Sequence, residues 1–215
     1  AAFGRTMSWP SVARRYLEAF EQARTTHTQR GRAGAAARSV TRRRPELPEI
    51  DLAHVRLMTD DTGILQHATF DIPRYSDGYC LDDNARALLL MTRLEEVGAE
   101  SPAVVRALAT RYLAFVNHAF DESTGRFHNF LTYARHWHEE PGSDDSHGRA
   151  IWALGAVIGC SSDSGRRGLG TRIFQRSLPA ATRLTSPRAW AYTLLGIDEY
   201  LRAFEGDSSV AAIRA

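Results

Sequence analysis

Apolar residues recur at helical spacing over most of the chain. Ser8-Trp9-Pro10 opens a first helix, with Ser8 placed to cap it and Pro10 in the first turn, where its missing N–H costs nothing. Val12, Tyr16, Leu17 and Phe20 form its apolar face. From Arg24 to Arg44 the pattern collapses. This stretch holds seven Arg and no acid, and Pro45 and Pro48 follow it. It reads as a flexible basic linker. Six more helices are predicted: Ile50 to Met58, Leu81 to Val97, Pro102 to Ala119, Ser146 to Gly159, Thr171 to Leu184 and Pro187 to Phe204. Strand signals are scarce, and only Gly125 to Tyr133 reads as a short extended piece. The fold class is therefore all-α, built from antiparallel helical hairpins. The chain divides into a terminal helix over 1–24, a linker over 25–49 and a helical domain over 50–215.

The loops between the post-linker helices are of two kinds. Gly98 to Ser101 and Cys160 to Gly170 look like plain connectors. The loops after the first, third and fifth helices carry Asp60-Asp61-Thr62-Gly63 with His67, then His128-Asn129 and Asp144-Asp145-Ser146-His147, then Ser186-Pro187-Arg188. Alternate loops of an antiparallel stack lie at the same end. The polar loops are thus expected to share one end, each feeding the N-terminus of the next helix. Several polar groups meeting in one concavity is the common look of a site.

Each group also has a plainer reading. Asp82, Asp83 and Asn84 suit the positive end of a helix and can cap it, although two adjacent acids exceed what one cap needs. Asp144, Asp145 and Ser146 carry the same ambiguity, and His147 and Arg149 one turn on weigh toward a site. Asp60 to Gly63 reads as a turn before it reads as a catalytic pair. His67 and His128 are loop histidines with either role open. His136 and His138 flank Trp137 without a third ligand, so no metal site is expected. Tyr79, Tyr133, Trp137, Trp152 and Trp190 lie near these loops. Most aromatics at helical spacing are core, yet ring faces beside carboxylates also suit a sugar cleft.

Composition narrows the class. The formal net charge is +2 over 215 residues, and every basic residue outside histidine is Arg. No apolar run approaches the roughly 20 residues of a membrane span. The start lacks the pattern of a signal peptide, and opening on Ala1 rather than Met is expected of a fragment. The Arg-rich stretch has no aromatic interleaving and no folded partner motif, so no nucleic-acid partner is expected. Cys80 and Cys160 fit no metal spacing and form no disulfide framework, which points to the reducing cytoplasm. No cofactor is called for.

Four longer segments carry a resemblance. They are Thr59 to Ala68, Gly78 to Leu88 (GYCLDDNARAL), Gly125 to Phe130 (GRFHNF) and Ser146 to Gly155 (SHGRAIWALG). Together they resemble the helical C-terminal region of bacterial proteins in which a GT-B glycosyltransferase is followed by a six-hairpin, glycosidase-like (α/α) toroid. The resemblance runs from about Ile50 to the end. The helix from Trp9 is similar to the closing helix of the transferase domain. The departure is length, since about half of a toroid is present.

The resemblance implies glycoside chemistry, with Asp83 and Asp145 as the catalytic pair. An inverting glycosidase holds its acid and base about 6.5–9.5 Å apart, which two neighbours on one helix turn cannot do, so the pair draws on two loops. His67, Tyr79, Asp82, Asn84, Arg86, His128, Asn129, His147, Arg149, Arg188 and Trp190 are the expected contacts to a glycan or oligosaccharide. A non-catalytic binding or scaffolding module of a glycosyltransferase is the alternative. Half a toroid leaves apolar helix faces bare, so self-association is expected and activity of this piece alone is not.

Overall fold

The computed structural model describes residues 9–32, 49–138 and 141–214 and separates two units, residues 1–48 and 49–215. The described part of the first unit is one helix, α1 (Trp9–Arg32). It continues past Arg24, where the apolar periodicity stops. Gln29, Arg30 and Arg32 in that continuation have high intrinsic helix propensity and need no apolar face to express it. Glu21 adds a local tie, accepting from Arg24 at 2.8 Å while its carbonyl accepts from the Thr25 hydroxyl at 2.9 Å. Residues 25–32 of the expected linker are therefore helical. The rest of that linker through Pro48, and the Ser8 cap, lie outside the described residues.

The described part of the second unit is mostly helical: α2 (Ala53–Leu57), α3 (Leu81–Val97), α4 (Pro102–Ala119), α5 (Asp144–Cys160), α6 (Ser164–Ala181), α7 (Pro187–Ala203) and α8 (Ser208–Arg214). Sequence and structure agree on both ends of α3 and α4. The start of α5 lies two residues earlier than expected because Ser143 caps it, its hydroxyl accepting from the Ser146 N–H at 3.1 Å. The start of α6 lies seven residues earlier. Gly165, Gly168 and Gly170 hide the periodicity there, while Asp163 caps the helix by accepting from the Arg166 N–H at 2.9 Å. The expected connector from Cys160 to Gly170 thus shrinks to three residues.

Between the helices lie three two-stranded antiparallel ladders. They pair β1 (Ala68–Thr69) with β2 (Ile72–Pro73), β3 (Tyr79–Cys80) with β6 (Phe130–Leu131), and β4 (Phe120–Asp121) with β5 (Arg126–Phe127). Only β5 and β6 fall in the segment read as extended. The register of β3 and β6 sets Cys80 opposite Phe130, which ties the entry of α3 to the loop after α4.

The long helices form two layers. Contacts from α3 to α5 keep a constant sequence offset of 67, through Asp82 with Arg149, Arg93 with Cys160, and Glu95 with Ser162. Such an offset means the two helices run parallel. From α5 to α7 the pairs are Gly148 with Ala189, Gly155 with Gly196, and Gly159 with Glu199, so α7 is parallel as well. The return helices α4 and α6 pack antiparallel behind α3 and α5. The core fills the space between the layers with Leu88, Met91, Tyr112, Phe115, Ile151, Leu154, Phe174 and Tyr200, all at most 2% exposed. Among the described residues no helix is long and apolar enough to cross a membrane.

The closest approach is between α5 and α7. A Cβ on Gly155 would collide with the backbone carbonyl of Gly196, and one on Gly196 would collide with that of Ile151. Gly206 meets nothing within 4 Å. Gly155→Ala is expected to cost about 1–3 kcal/mol in urea unfolding despite alanine's better helix propensity. Gly206→Ala should change stability by no more than about 0.5 kcal/mol. Equal effects at the two positions would contradict the close packing.

Candidate functional site

The first polar loop is held by groups that were candidates for ligand contact. Asp60 closes a turn, its Oδ1 accepting from the N–H groups of Thr62 at 2.8 Å and Gly63 at 3.2 Å. Its Oδ2 accepts from the Tyr79 hydroxyl at 2.5 Å. Asn84 is fully buried, accepting from the Ile64 N–H at 2.9 Å and donating to the Cys80 carbonyl at 2.9 Å. Tyr79 and Asn84 therefore spend their polar atoms fastening this loop to α3. Both are buried, and neither lines the groove at the helix N-termini, where contacts to a glycan were expected.

With the loop fixed, the N-termini of α3, α5 and α7 open onto one groove of about 470 Å³. Gln66 and His67 line it from the first loop, and Cys80, Asp82, Asp83 and Arg86 from the start of α3. Asn129, Phe130 and Ser143 come from the third loop, Asp145, Ser146 and Arg149 from α5, and Arg188 from α7. The expected convergence of alternate loops is thus present. Among the described residues, no three His, Cys, Asp or Glu side chains gather as a metal ion would require.

Arginines organise the groove. Asp82 is ion-paired with both Arg86 and Arg149. Arg86 also reaches Asp83 at 3.1 Å. Arg149 donates to the Tyr192 hydroxyl at 2.6 Å, and its guanidinium lies 4.1 Å over that ring. Trp152 stacks near-parallel to Tyr192, 5.9 Å away between centroids. Arg188 pairs with Asp145, which also accepts from the Ser186 hydroxyl at 2.8 Å. Asp144 is spent on the Thr185 N–H at 2.8 Å and on Arg126 at 3.1 Å, so it joins the third and fifth loops. His67 sits 3.0 Å from Asp77.

The two acids singled out in sequence differ in proton affinity. Burial raises the pKa of Asp83, with Asp82 adding to the rise and Arg86 opposing it. The hydrogen-bonded Arg188 lowers that of Asp145, supported by Ser186. One groove therefore holds a carboxyl biased toward its protonated form and a carboxylate biased toward its ionised form.

Three other expected contacts lie elsewhere. His147 is fully buried, 5.3 Å from the Phe127 ring and beside the Ser177 backbone. One turn of α5 points Arg149 into the groove and His147 into the core. His128 stacks on Trp137 at 5.1 Å and lines a separate cavity of about 200 Å³. Trp190 donates to the Leu184 carbonyl at 2.7 Å and is absent from the groove wall. Asn129 remains at the groove, 7% exposed, accepting from the Cys80 thiol at 3.3 Å. Sequence reasoning missed Tyr192. Its signal was its place one helical turn after Arg188, on the same face of α7.

Compared with known protein families and with curated proteins, the chain matches none.

Burial, with Arg126 next in weight, pushes the His147 pKa down from 6.5 to about 3. Between those values the unfolded chain takes up a proton that the folded chain refuses. Stability therefore falls as pH drops through this window, by up to about 1.4 kcal/mol per unit from this group. Urea unfolding of the native chain between pH 6.5 and 4.5 should show that slope, and His147→Leu should flatten it. An unchanged slope in the variant would show that the loss comes from other groups.

Proposed function

We propose that the second unit is a glycosidase-like helical domain whose groove binds a glycan and cleaves it in the complete protein. The carrying observation is the pair Asp83 and Asp145, drawn from two parallel helix N-termini into one groove with opposite pKa shifts. In an inverting reaction Asp83, the acid with the raised pKa, would give a proton to the leaving glycosidic oxygen. The ionised Asp145 would take a proton from water attacking the opposite face of the sugar. Arg149 and Arg188 would hold sugar hydroxyls and balance charge, and Asn129 and His67 would add hydrogen bonds.

The architecture supports the wider reading. Three parallel helices in contact, with return helices packed on them, are what about half of an (α/α) six-hairpin toroid would contain. On this reading α1 closes a GT-B glycosyltransferase domain, and the parent protein couples glycosyl transfer to glycan handling in bacterial polysaccharide metabolism. The piece alone would be inactive. Its two cysteines are free thiols, which suits a cytoplasmic setting. The bare edge of α7, with Trp190, Leu194 and Leu195 all more than 40% exposed, would be covered by the missing hairpins or by a second copy.

A binding module is the second reading, and one observation favours it. Asp82 and Asp145 both have arginine partners, as acids do when they order a binding surface.

The test uses the complete protein and a panel of oligosaccharides. Asp83→Asn and Asp145→Asn should each lower hydrolysis at least about 100-fold, while glycan affinity by calorimetry changes little. Unaltered turnover in both variants would remove them from the chemistry. Glycan binding with no hydrolysis by the native protein would establish the binding module instead. Size-exclusion chromatography of the present chain should show concentration-dependent association that Leu194→Glu weakens. A monomer at all concentrations would contradict the proposed role of the α7 edge.

A further inference from the structure

Two tyrosines beside the groove leave about half of their surface to water, Tyr75 at 54% exposed and Tyr133 at 50%. Tyr75 opens a single 3₁₀ turn, Tyr75–Asp77, and Tyr133 follows β6 by two residues. Their ring centroids lie 4.9 Å apart. Tyr133 also stacks on Tyr79, 6.3 Å away and 16° from parallel. Tyr79 is 1% exposed, so it roots the three rings in the core.

Both turns are held in place. The Gly78 N–H donates to the Tyr75 carbonyl at 3.1 Å, and a Cβ on Gly78 would collide with the Leu131 carbonyl. The Arg135 N–H donates to the Thr132 carbonyl at 2.9 Å, which closes a turn around Tyr133. The flanking charges are spent locally, Arg135 on Asp61 at 3.1 Å and Arg74 on Asp77 at 3.4 Å. A fixed tyrosine surface loses little side-chain entropy on binding. An aromatic patch left in water marks a contact surface, and paired charges around it favour an uncharged partner.

The patch is continuous with the groove. His67 lines the groove and holds Asp77, two residues after Tyr75, at 3.0 Å. Phe130 lines the groove three residues before Tyr133, a span of at most about 11 Å of chain. The groove wall is rich in arginines and acids, whereas the patch offers ring faces, and ring faces pack on the C–H faces of sugars.

We propose that Tyr75 and Tyr133 form a further subsite of the groove, stacking an uncharged sugar ring of the same glycan beyond the residues that the groove itself holds. This rests on the glycan reading of the groove. The platform then selects for the length of the glycan.

The test uses the complete protein and ladders of malto-, cello-, manno- and chito-oligosaccharides of increasing length. Calorimetry gives the affinity ratio between the longest and the shortest oligosaccharide that bind. Tyr75→Ala should lower that ratio about three- to tenfold. Tyr75→Phe, which keeps the ring, should preserve it, and Arg188→Gln should weaken long and short ligands alike. Bound oligosaccharide should also protect Tyr75 and Tyr133 from nitration by tetranitromethane, read by peptide mass spectrometry. Native protein that binds oligosaccharides, with the ratio unchanged in Tyr75→Ala, overturns the platform and leaves the groove standing. No binding by the native protein overturns the glycan reading and the platform with it. An unchanged ratio with altered elution of Tyr75→Ala in size-exclusion chromatography makes the patch a contact between copies, which also overturns the proposal. Nitration protection decides the matter if Tyr75→Ala does not fold.

Discussion

The geometry of the second unit depends on one close contact between backbones. Gly155 and Gly196 bring α5 and α7 so near that a single Cβ on either would strike the other's main chain. Helices separated by large side chains can slide or tilt. Helices touching through glycine have little such freedom, and here Gly148 against Ala189 and Gly159 against Glu199 repeat the contact along the seam. The parallel sense and register of α7 on α5 follow from that row. The polar offset of 67 between α3 and α5 then extends the same alignment by another helix. Three helix N-termini end side by side as a result, and the groove is their common end.

That common end has an electrostatic consequence. Each N-terminus carries a partial positive charge from its unpaired N–H groups, and Arg86, Arg149 and Arg188 add full charges beside them. Acids are the natural complement. Asp145 sits in this field with an arginine in contact and is held ionised. Asp83 sits in the same field, yet burial outweighs it. Both residues lie in the first turn of their helices, and their partners differ: Arg188 and Ser186 both bond Asp145, whereas Asp83 shares Arg86 with the neighbouring Asp82.

Much of the fold was legible because α3 and α4 bury regular apolar stripes, and both ends of each could be read directly. The shared end of the polar loops was legible for the same reason, because alternation in a hairpin stack is a counting argument. The first half of α6 was hidden because its glycines break the stripe that betrays a helix. The fate of single side chains was less legible still. Tyr79, Asn84 and His147 looked like ligand contacts by residue type, but type does not reveal rotation about a helix axis. Asn84 and His147 both turn into the core, where Asn84 finds hydrogen-bond partners for its amide. Tyr192 went unread because its role lies in a contact with Arg149 on another helix, 43 residues away.

Rotation about the axis also explains why two neighbouring acids do different work. Successive residues of an α-helix point about 100° apart. Asp82 therefore reaches Arg149 on α5 while Asp83 turns toward Arg86 alone, at 3.1 Å. Two guanidinium groups neutralise Asp82, and Tyr192 fixes the second of them through its hydroxyl and its ring. That acid ties α3 to α5. Asp83 shares one guanidinium with Asp82 and feels its negative charge, so its proton is easier to keep. The tie made by Asp82 thus supplies both the rigidity of the groove and part of the field that sets its neighbour apart.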